Sequence, residues 1–161
     1  MHPMSEEQRK VLDFIRSGKN VIVDACAGSG KSTTILSIAK ELTGKKIRQF
    51  TYNSQLRFDV KENIKQMKLQ NLEVHTYHSF AVKYYSDVAH TDTGIRQILR
   101  EDTSPRSPIP LVDIVVLDES QDMTLLYFEL IVKMAKNMCL ENDHCFQLLV
   151  LGDYMQGLYE F

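Results

Sequence analysis

Asn20-Val21-Ile22-Val23-Asp24-Ala25-Cys26-Ala27-Gly28-Ser29-Gly30-Lys31-Ser32 decides the fold. Its first half is a short apolar run rich in β-branched residues, which predicts a buried strand. Ala25 to Ser32 fits the phosphate-loop pattern G-x-x-x-x-G-K-[ST], with alanine at the first glycine position. Ser32 to Leu42 then reads as a helix closed near Gly44. Strand, glycine turn and helix follow in the order that an anion cradle needs. Gly28 and Gly30 can take backbone angles that a β-carbon forbids. Successive N–H groups can then turn inward as a nest, reinforced by the positive end of the helix. Lys31 is placed to reach β- and γ-phosphate oxygens, and the Ser32 hydroxyl to ligate Mg²⁺. The plainer alternative is a glycine turn followed by a solvated lysine, but pattern and context agree on the cradle. Cys26, inside the loop, reads as a small packing residue rather than a nucleophile.

Outward from this stretch, strands and helices alternate. Ser5-Glu6-Glu7-Gln8 has the form of a capping box and opens a helix that Gly18 ends. Ile47 to Tyr52 and Leu72 to Thr76 read as strands, and Ser54 to Met67 and His78 to Tyr85 as helices. Ile114-Val115-Val116-Leu117 is a continuous apolar run, as in a parallel strand covered on both faces. Thr124 to Met138 reads as a packed helix, and Gln147 to Leu151 as a fifth strand ended by Gly152. Residues 86–110 are polar, with Pro105, Pro108 and Pro110, and read as a partly disordered excursion over the surface with a short helix near Ile95–Leu99. The expected fold is α/β, a parallel five-stranded sheet between helices, in one domain over residues 1–161.

Asp118 and Glu119 follow directly on the Ile114–Leu117 run, at the carboxyl end of a parallel strand, where such sheets bind ligands. Asp118 suits a Mg²⁺ ion held through its water, and Glu119 a general base that polarises an attacking water. A second carboxylate favours hydrolysis over transfer of phosphoryl to another substrate. The alternative is two acids at the favourable end of a helix.

Composition bounds the rest. The chain has 161 residues, 43% hydrophobic and 25% charged, enough for an ordinary core. No apolar run approaches the ~18 residues of a membrane span, and Met1 to Glu7 lacks the pattern of a secretory signal. Cys26, Cys139 and Cys145 match no common zinc or redox spacing, so a reducing intracellular compartment is expected. Residues 1–111 carry a net +5 and residues 112–161 a net −7, together the −2 of the whole. The stretch from Lys40 to Lys68 alone carries +5. This split suits nucleic acid at one place and a metal ion at another, or two solvated faces of opposite sign.

Five blocks, in order, make the pattern specific: Ser5-Glu6-Glu7-Gln8; the phosphate loop; Thr76-Tyr77-His78-Ser79-Phe80; Asp118-Glu119-Ser120-Gln121-Asp122; and Gly152-Asp153-Tyr154-Met155-Gln156-Gly157-Leu158-Tyr159-Glu160-Phe161. Their order and spacing resemble the superfamily 1 DNA helicases of the UvrD/Rep type. The D-E-x-Q-D-M form and compact layout look most like the F-box-helicase branch and its relatives in large DNA viruses.

The resemblance implies a RecA-like P-loop NTPase core, with the Gly152 strand between the phosphate-loop strand and the Asp118 strand. It implies an ATP hydrolase using ATP and Mg²⁺ and stepping 3′-to-5′ on single-stranded DNA. ATP would lie on Ala25, Cys26, Ala27, Gly28, Ser29, Gly30, Lys31, Ser32 and Thr33. Gln8 would read the adenine edge, or serve only as the capping partner of Ser5. Lys31, Glu119 and Gln156 would carry catalysis, with Gln156 on the γ-phosphate or the attacking water. Ser32 and Asp118 would hold the metal, and Gln121 and Asp122 would tie the coupling together. Tyr52, Asn53, His78, Ser79, Tyr159 and Phe161 would touch DNA. Packing is the alternative for Tyr159 and Phe161, and a buried hydrogen-bonding role for His78. Lys61, Lys65 and Lys68 add phosphate contacts or form a solvated face.

Departures from the pattern matter too. The resemblance implies a second RecA-like domain supplying arginines to the γ-phosphate, and this chain lacks it. Thr33 stands where many relatives carry a basic residue, and 86–110 is far shorter than the subdomain many insert there. A nucleotide- or DNA-binding module with little turnover is therefore the second expectation. A small-molecule P-loop kinase is the third, disfavoured because Gln156 and the T-x-H-S-F block have no task in it.

Overall fold

The computed structural model describes residues 4–24, 30–52, 54–139 and 146–153. Five strands form one sheet: β1 (Val21–Asp24), β2 (Ile47–Thr51), β3 (Leu72–Thr76), β4 (Ile114–Leu117) and β5 (Gln147–Gly152). All pairings are parallel, in the order β1-β5-β4-β2-β3. The Gly152 strand therefore lies between the phosphate-loop strand and the Asp118 strand, as the resemblance implies.

Alternation of side chains across the strands makes two cores, one per face. On one face Ile47, Ile114, Val116 and Leu149 pack with Leu12, Ile15, Ile35 and Ile38. These come from helices α1 (Glu6–Arg16) and α2 (Lys31–Glu41). The partly buried Ile64 and Met67 border this core; Ile64 lies on helix α3 (Ser54–Gln66) and Met67 directly follows it. On the other face Phe50, Val115 and Leu117 pack with Phe80, Ile95, Ile98 and Leu130. Those come from helices α4 (Tyr77–Tyr84), α5 (Asp92–Arg100) and α6 (Leu125–Cys139). Lys61, Lys65 and Lys68 are exposed on α3 and just beyond it.

Residues 86–110 differ from the expected loose excursion. A 3₁₀ turn over Asp87–His90 leads into α5, and Ala89, Ile95, Ile98 and Ile109 are buried in the second core. The prolines and polar residues lie between and after these elements, so composition masks an amphipathic helix with Ile95 and Ile98 on its inner face.

The second core also holds a charge. Arg48 is fully buried on β2, where it donates to Glu73 and to the Pro110 carbonyl at 3.1 Å. Its guanidinium lies over the Phe80 and Tyr84 rings. Burial alone would raise the Glu73 carboxyl, but the His75 hydrogen bond and the Arg48 charge outweigh it and hold the pKa at about 2. The pairing meets the rule that a buried cation needs a partner. Among the described residues, no helix is long and apolar enough to cross a membrane.

Candidate nucleotide site

The cleft forms at the carboxyl ends of β1, β4 and β5. Gly30 caps α2 at φ 86°, a left-handed conformation that glycine takes at little cost. Lys31 then opens the helix, and its side chain is only 8% exposed. Its Nζ lies 2.8 Å from Glu119 Oε2, across 88 residues of sequence. Gln121 Nε2 donates to the same oxygen at 2.7 Å. Gln121 Oε1 in turn accepts from Asp153 N at 3.1 Å, just past β5. A β-carbon at Gly152 would meet Ser120 Oγ at 2.2 Å, so the end of β5 lies directly against this loop. One glutamine thus ties the acid after β4 to the chain leaving β5.

Glu119 adopts φ 52° and ψ 51°, a left-handed backbone that costs a non-glycine residue ~1–3 kcal/mol. The turn aims its carboxylate at Lys31 rather than along the strand. Asp118 points differently. It is 4% exposed, and its Oδ1 accepts from Glu119 N and its Oδ2 from Gln49 Nε2, both at 3.0 Å. Burial, and then the neighbouring Glu119 charge, push the Asp118 pKa up to about 6.

Gln8 stands at the mouth of the cleft. Its Nε2 donates to Thr34 Oγ1 at 3.0 Å, and Thr34 Oγ1 donates to the Gly30 carbonyl at 3.0 Å. Its Oε1 accepts from Ser5 N at 3.0 Å, which completes the capping box. The capping role is therefore formed, and it parks the amide beside the start of α2. A groove of about 510 Å³ runs from Gln8 past Phe14 and Val23 to Lys31 and Thr34, within the usual ~300–1,000 Å³ of small-molecule sites.

The donor set fits magnesium. Ser32, in the first turn of α2, is exposed, and Asp118 supplies one buried carboxylate. Among the described residues, no three His, Cys, Asp or Glu side chains gather into a metal cage. Mg²⁺ uses one or two protein oxygens and takes the rest from waters and phosphates, which a hydroxyl and a carboxylate such as those of Ser32 and Asp118 match.

Elsewhere, the Thr76–Phe80 block forms a second capping box. Thr76 Oγ1 accepts from Ser79 N at 3.1 Å, and Ser79 Oγ accepts from Thr76 N at 2.9 Å. The Ser79 hydroxyl also donates to the Thr76 carbonyl at 3.0 Å. His78 Nε2 is 2.9 Å from Asp92 Oδ1, the oxygen that also accepts from Tyr127 OH at 3.0 Å. Tyr127 stacks on Tyr77 at 4.5 Å, and Tyr52, 46% exposed, packs edge-on against it. Tyr52 and His78 thus meet on one aromatic cluster.

The structure brings together Gln8, Gly30, Lys31, Asp118 and Glu119. Thr33 is exposed on α2, like Ser32. Ala25, Cys26, Ala27, Gly28, Ser29, Asn53, Gln156, Tyr159 and Phe161 lie outside the described residues. Thr34 and Gln49 were missed by sequence reasoning. The signal for Gln49 was present, since an amide inside the buried run Ile47–Thr51 is out of place in a central strand.

The sequence profile of the AAA domain family matches residues 8–161. No curated protein matches. The fold is similar to the DEAH/RHA helicase HrpB of Escherichia coli, with TM-score 0.59 and 16% identity, over 92% of this chain and 19% of that one. It is also similar to the Pif1 helicase of Candida albicans, with TM-score 0.57 and 21% identity, over 96% of this chain and 33% of that one. The chain thus spans a third or less of either helicase, and at these identities the likeness concerns the fold, a RecA-like α/β domain.

Proposed function

The chain belongs to the AAA domain family, and on that premise we propose that it is the N-terminal ATP-binding motor domain of an ATP-dependent DNA helicase. The observation that carries this reading is the 2.8 Å contact of Lys31 with Glu119, beside the buried Asp118. It gathers a phosphate-loop lysine and two strand-end acids in one cleft, as nucleotide hydrolysis requires.

In the proposed reaction, residues 25–33 cradle the triphosphate and Lys31 moves from Glu119 to the β- and γ-phosphate oxygens. Glu119 Oε2 is then free to accept a proton from the attacking water, with Gln121 holding its direction. Ser32 and Asp118 hold magnesium, which neutralises phosphate charge when bound. Gln8 reads the adenine edge from the groove beside α1, exchanging a capping bond for the base. Gln156, beyond β5, senses the γ-phosphate, and the Gln121–Asp153 hydrogen bond supports communication between the acid loop and that segment.

Single-stranded DNA is proposed to touch Tyr52, Asn53, His78, Ser79, Tyr159 and Phe161. Stacking on aromatics is tolerant of sequence, which suits a motor. A second RecA-like domain closes the cleft, and 3′-to-5′ stepping of the UvrD/Rep type follows from the family resemblance. The F-box-helicase-like branch is the proposed finer placement. The 1–161 region acts as a single motor domain, with the 86–110 segment in place of a larger inserted subdomain.

One observation favours a second reading. Among the described residues, Lys31 is the cation bonded to the acid loop, and no arginine bonds Asp118 or Glu119. A single bonded cation at the acids suits a nucleotide-binding module that turns over little by itself. DNA-stimulated ATP hydrolysis of the chain tests both. We expect turnover that is abolished by Glu119→Gln with nucleotide binding kept, and binding lost in Lys31→Ala. Turnover that survives Glu119→Gln overturns the catalytic assignment; absence of any turnover with intact binding selects the module.

A further inference from the structure

Gln49 occupies the middle of β2, paired in register with Val74 on β3 and Val116 on β4. It is fully buried. Its Nε2 donates to Asp118 Oδ2, while its Oε1 has no hydrogen-bond partner among the described residues. Two residues on, along the same face of the strand, Thr51 Oγ1 is likewise buried without a partner among the described residues. A buried acceptor left unpaired costs ~1–3 kcal/mol. A leucine would fill this position in a sheet core without that cost. An amide kept here at such expense calls for a reason outside packing.

The geometry supplies one. Asp118 has a main-chain donor on Oδ1 and the Gln49 amide on Oδ2, so each carboxylate oxygen is held by one donor. One donor on β2 and one just past the end of β4 fix the plane of the carboxylate. The main-chain donor alone leaves the group free to turn about the single oxygen it holds.

We propose that Gln49 is the positioning residue of the magnesium site: its amide locks the Asp118 carboxylate so that the free lone pairs of that group face the ion and its waters. The Gln49 and Thr51 oxygens then stand beside the site as acceptors for water. The inference rests on the nucleotide-site reading and adds to it a residue that neither the phosphate loop nor the acid motif contains. Partners of this kind orient metal ligands, and their loss typically weakens metal affinity ~10–100-fold.

The test is Mn²⁺ binding to the full chain in the presence of ADP, followed by the resonance signal of free Mn²⁺. Metal-free ADP affinity and melting temperature are measured alongside. Gln49→Leu and the near-isosteric Gln49→Met should each weaken Mn²⁺ on the order of 10-fold. Metal-free ADP affinity should hold, and melting temperature should hold or rise. A role in packing alone would move melting temperature and leave the Mn²⁺ affinity intact, which overturns the proposal. Equal loss of Mn²⁺ and metal-free ADP binding, or unfolding of both variants, overturns it as well. Failure of the unaltered chain to bind Mn²⁺ and ADP would instead reject the nucleotide site, and with it this role.

Discussion

Asp118 is the residue where structure and chemistry meet most tightly. Its pKa of about 6 lies above the ordinary carboxylate value of 3.8 because burial, and then Glu119, disfavour its charge. For an acid raised on folding, the stabilising contribution is complete below 3.8 and is lost as pH rises through 6. At pH 8 the ionised group therefore weakens the fold by ~3 kcal/mol. Asp118→Asn removes that loss, and Gln49 can turn its amide so that Oε1 accepts from the new side chain. We expect urea unfolding to show the variant more stable than the parent by ~1–3 kcal/mol at pH 8, with the gain gone below pH 4. A gain of equal size at both pH values would exclude ionisation as its cause. The residues proposed for metal and nucleotide, Gln8, Lys31, Ser32, Asp118 and Glu119, were legible in the sequence because short patterns carry them. Gln49 was flagged only as an amide out of place in a buried strand; its partner, 69 residues away, was not legible.

At the scale of elements, α1 and α4 show one device put to two uses. The box at Ser5 and Gln8 is written in the S-x-x-Q spacing, and the structure forms it. The box at Thr76 and Ser79 uses two hydroxyls, a form that the sequence reading passed over in favour of DNA contact. Ser79→Ala should cost ~1 kcal/mol of stability by leaving the Thr76 N–H without its acceptor, seen as a lower urea midpoint. An unchanged midpoint with weaker single-strand binding would show that the hydroxyl serves DNA more than the helix. Segment 86–110 teaches the converse. Its prolines and charges suggested a loose excursion, yet the inward face carrying Ile95 and Ile98 ordered it against Leu130 and Phe80. Composition averages over both faces of a helix, and burial acts on only one.

At the scale of the molecule, the sheet order puts β5 between the two site strands, so the cleft is walled by three strand ends from distant parts of the chain. The described residues bring one cation, Lys31, to the acids. In related nucleotide hydrolases an added arginine raises turnover ~10³–10⁵-fold. If the motor reading holds, joining a second RecA-like domain to this chain in one polypeptide should raise its DNA-stimulated turnover by ~10³ or more, measured as steady-state phosphate release. A change under ~10-fold would show that the second wall supplies no transition-state charge.

Local spacing was enough to read the strand–helix alternation, the glycine–lysine pattern and the two strand-end acids, because each depends on neighbours within a few residues. Hydrophobic period, glycine spacing and strand-end position are local quantities. Only the tertiary structure decided that Lys31 pairs with Glu119, that Gln121 bridges to Asp153, and that Gln49 pins Asp118. Those contacts join strands and loops distant in sequence, and they form only where the parallel sheet sets the strand ends side by side.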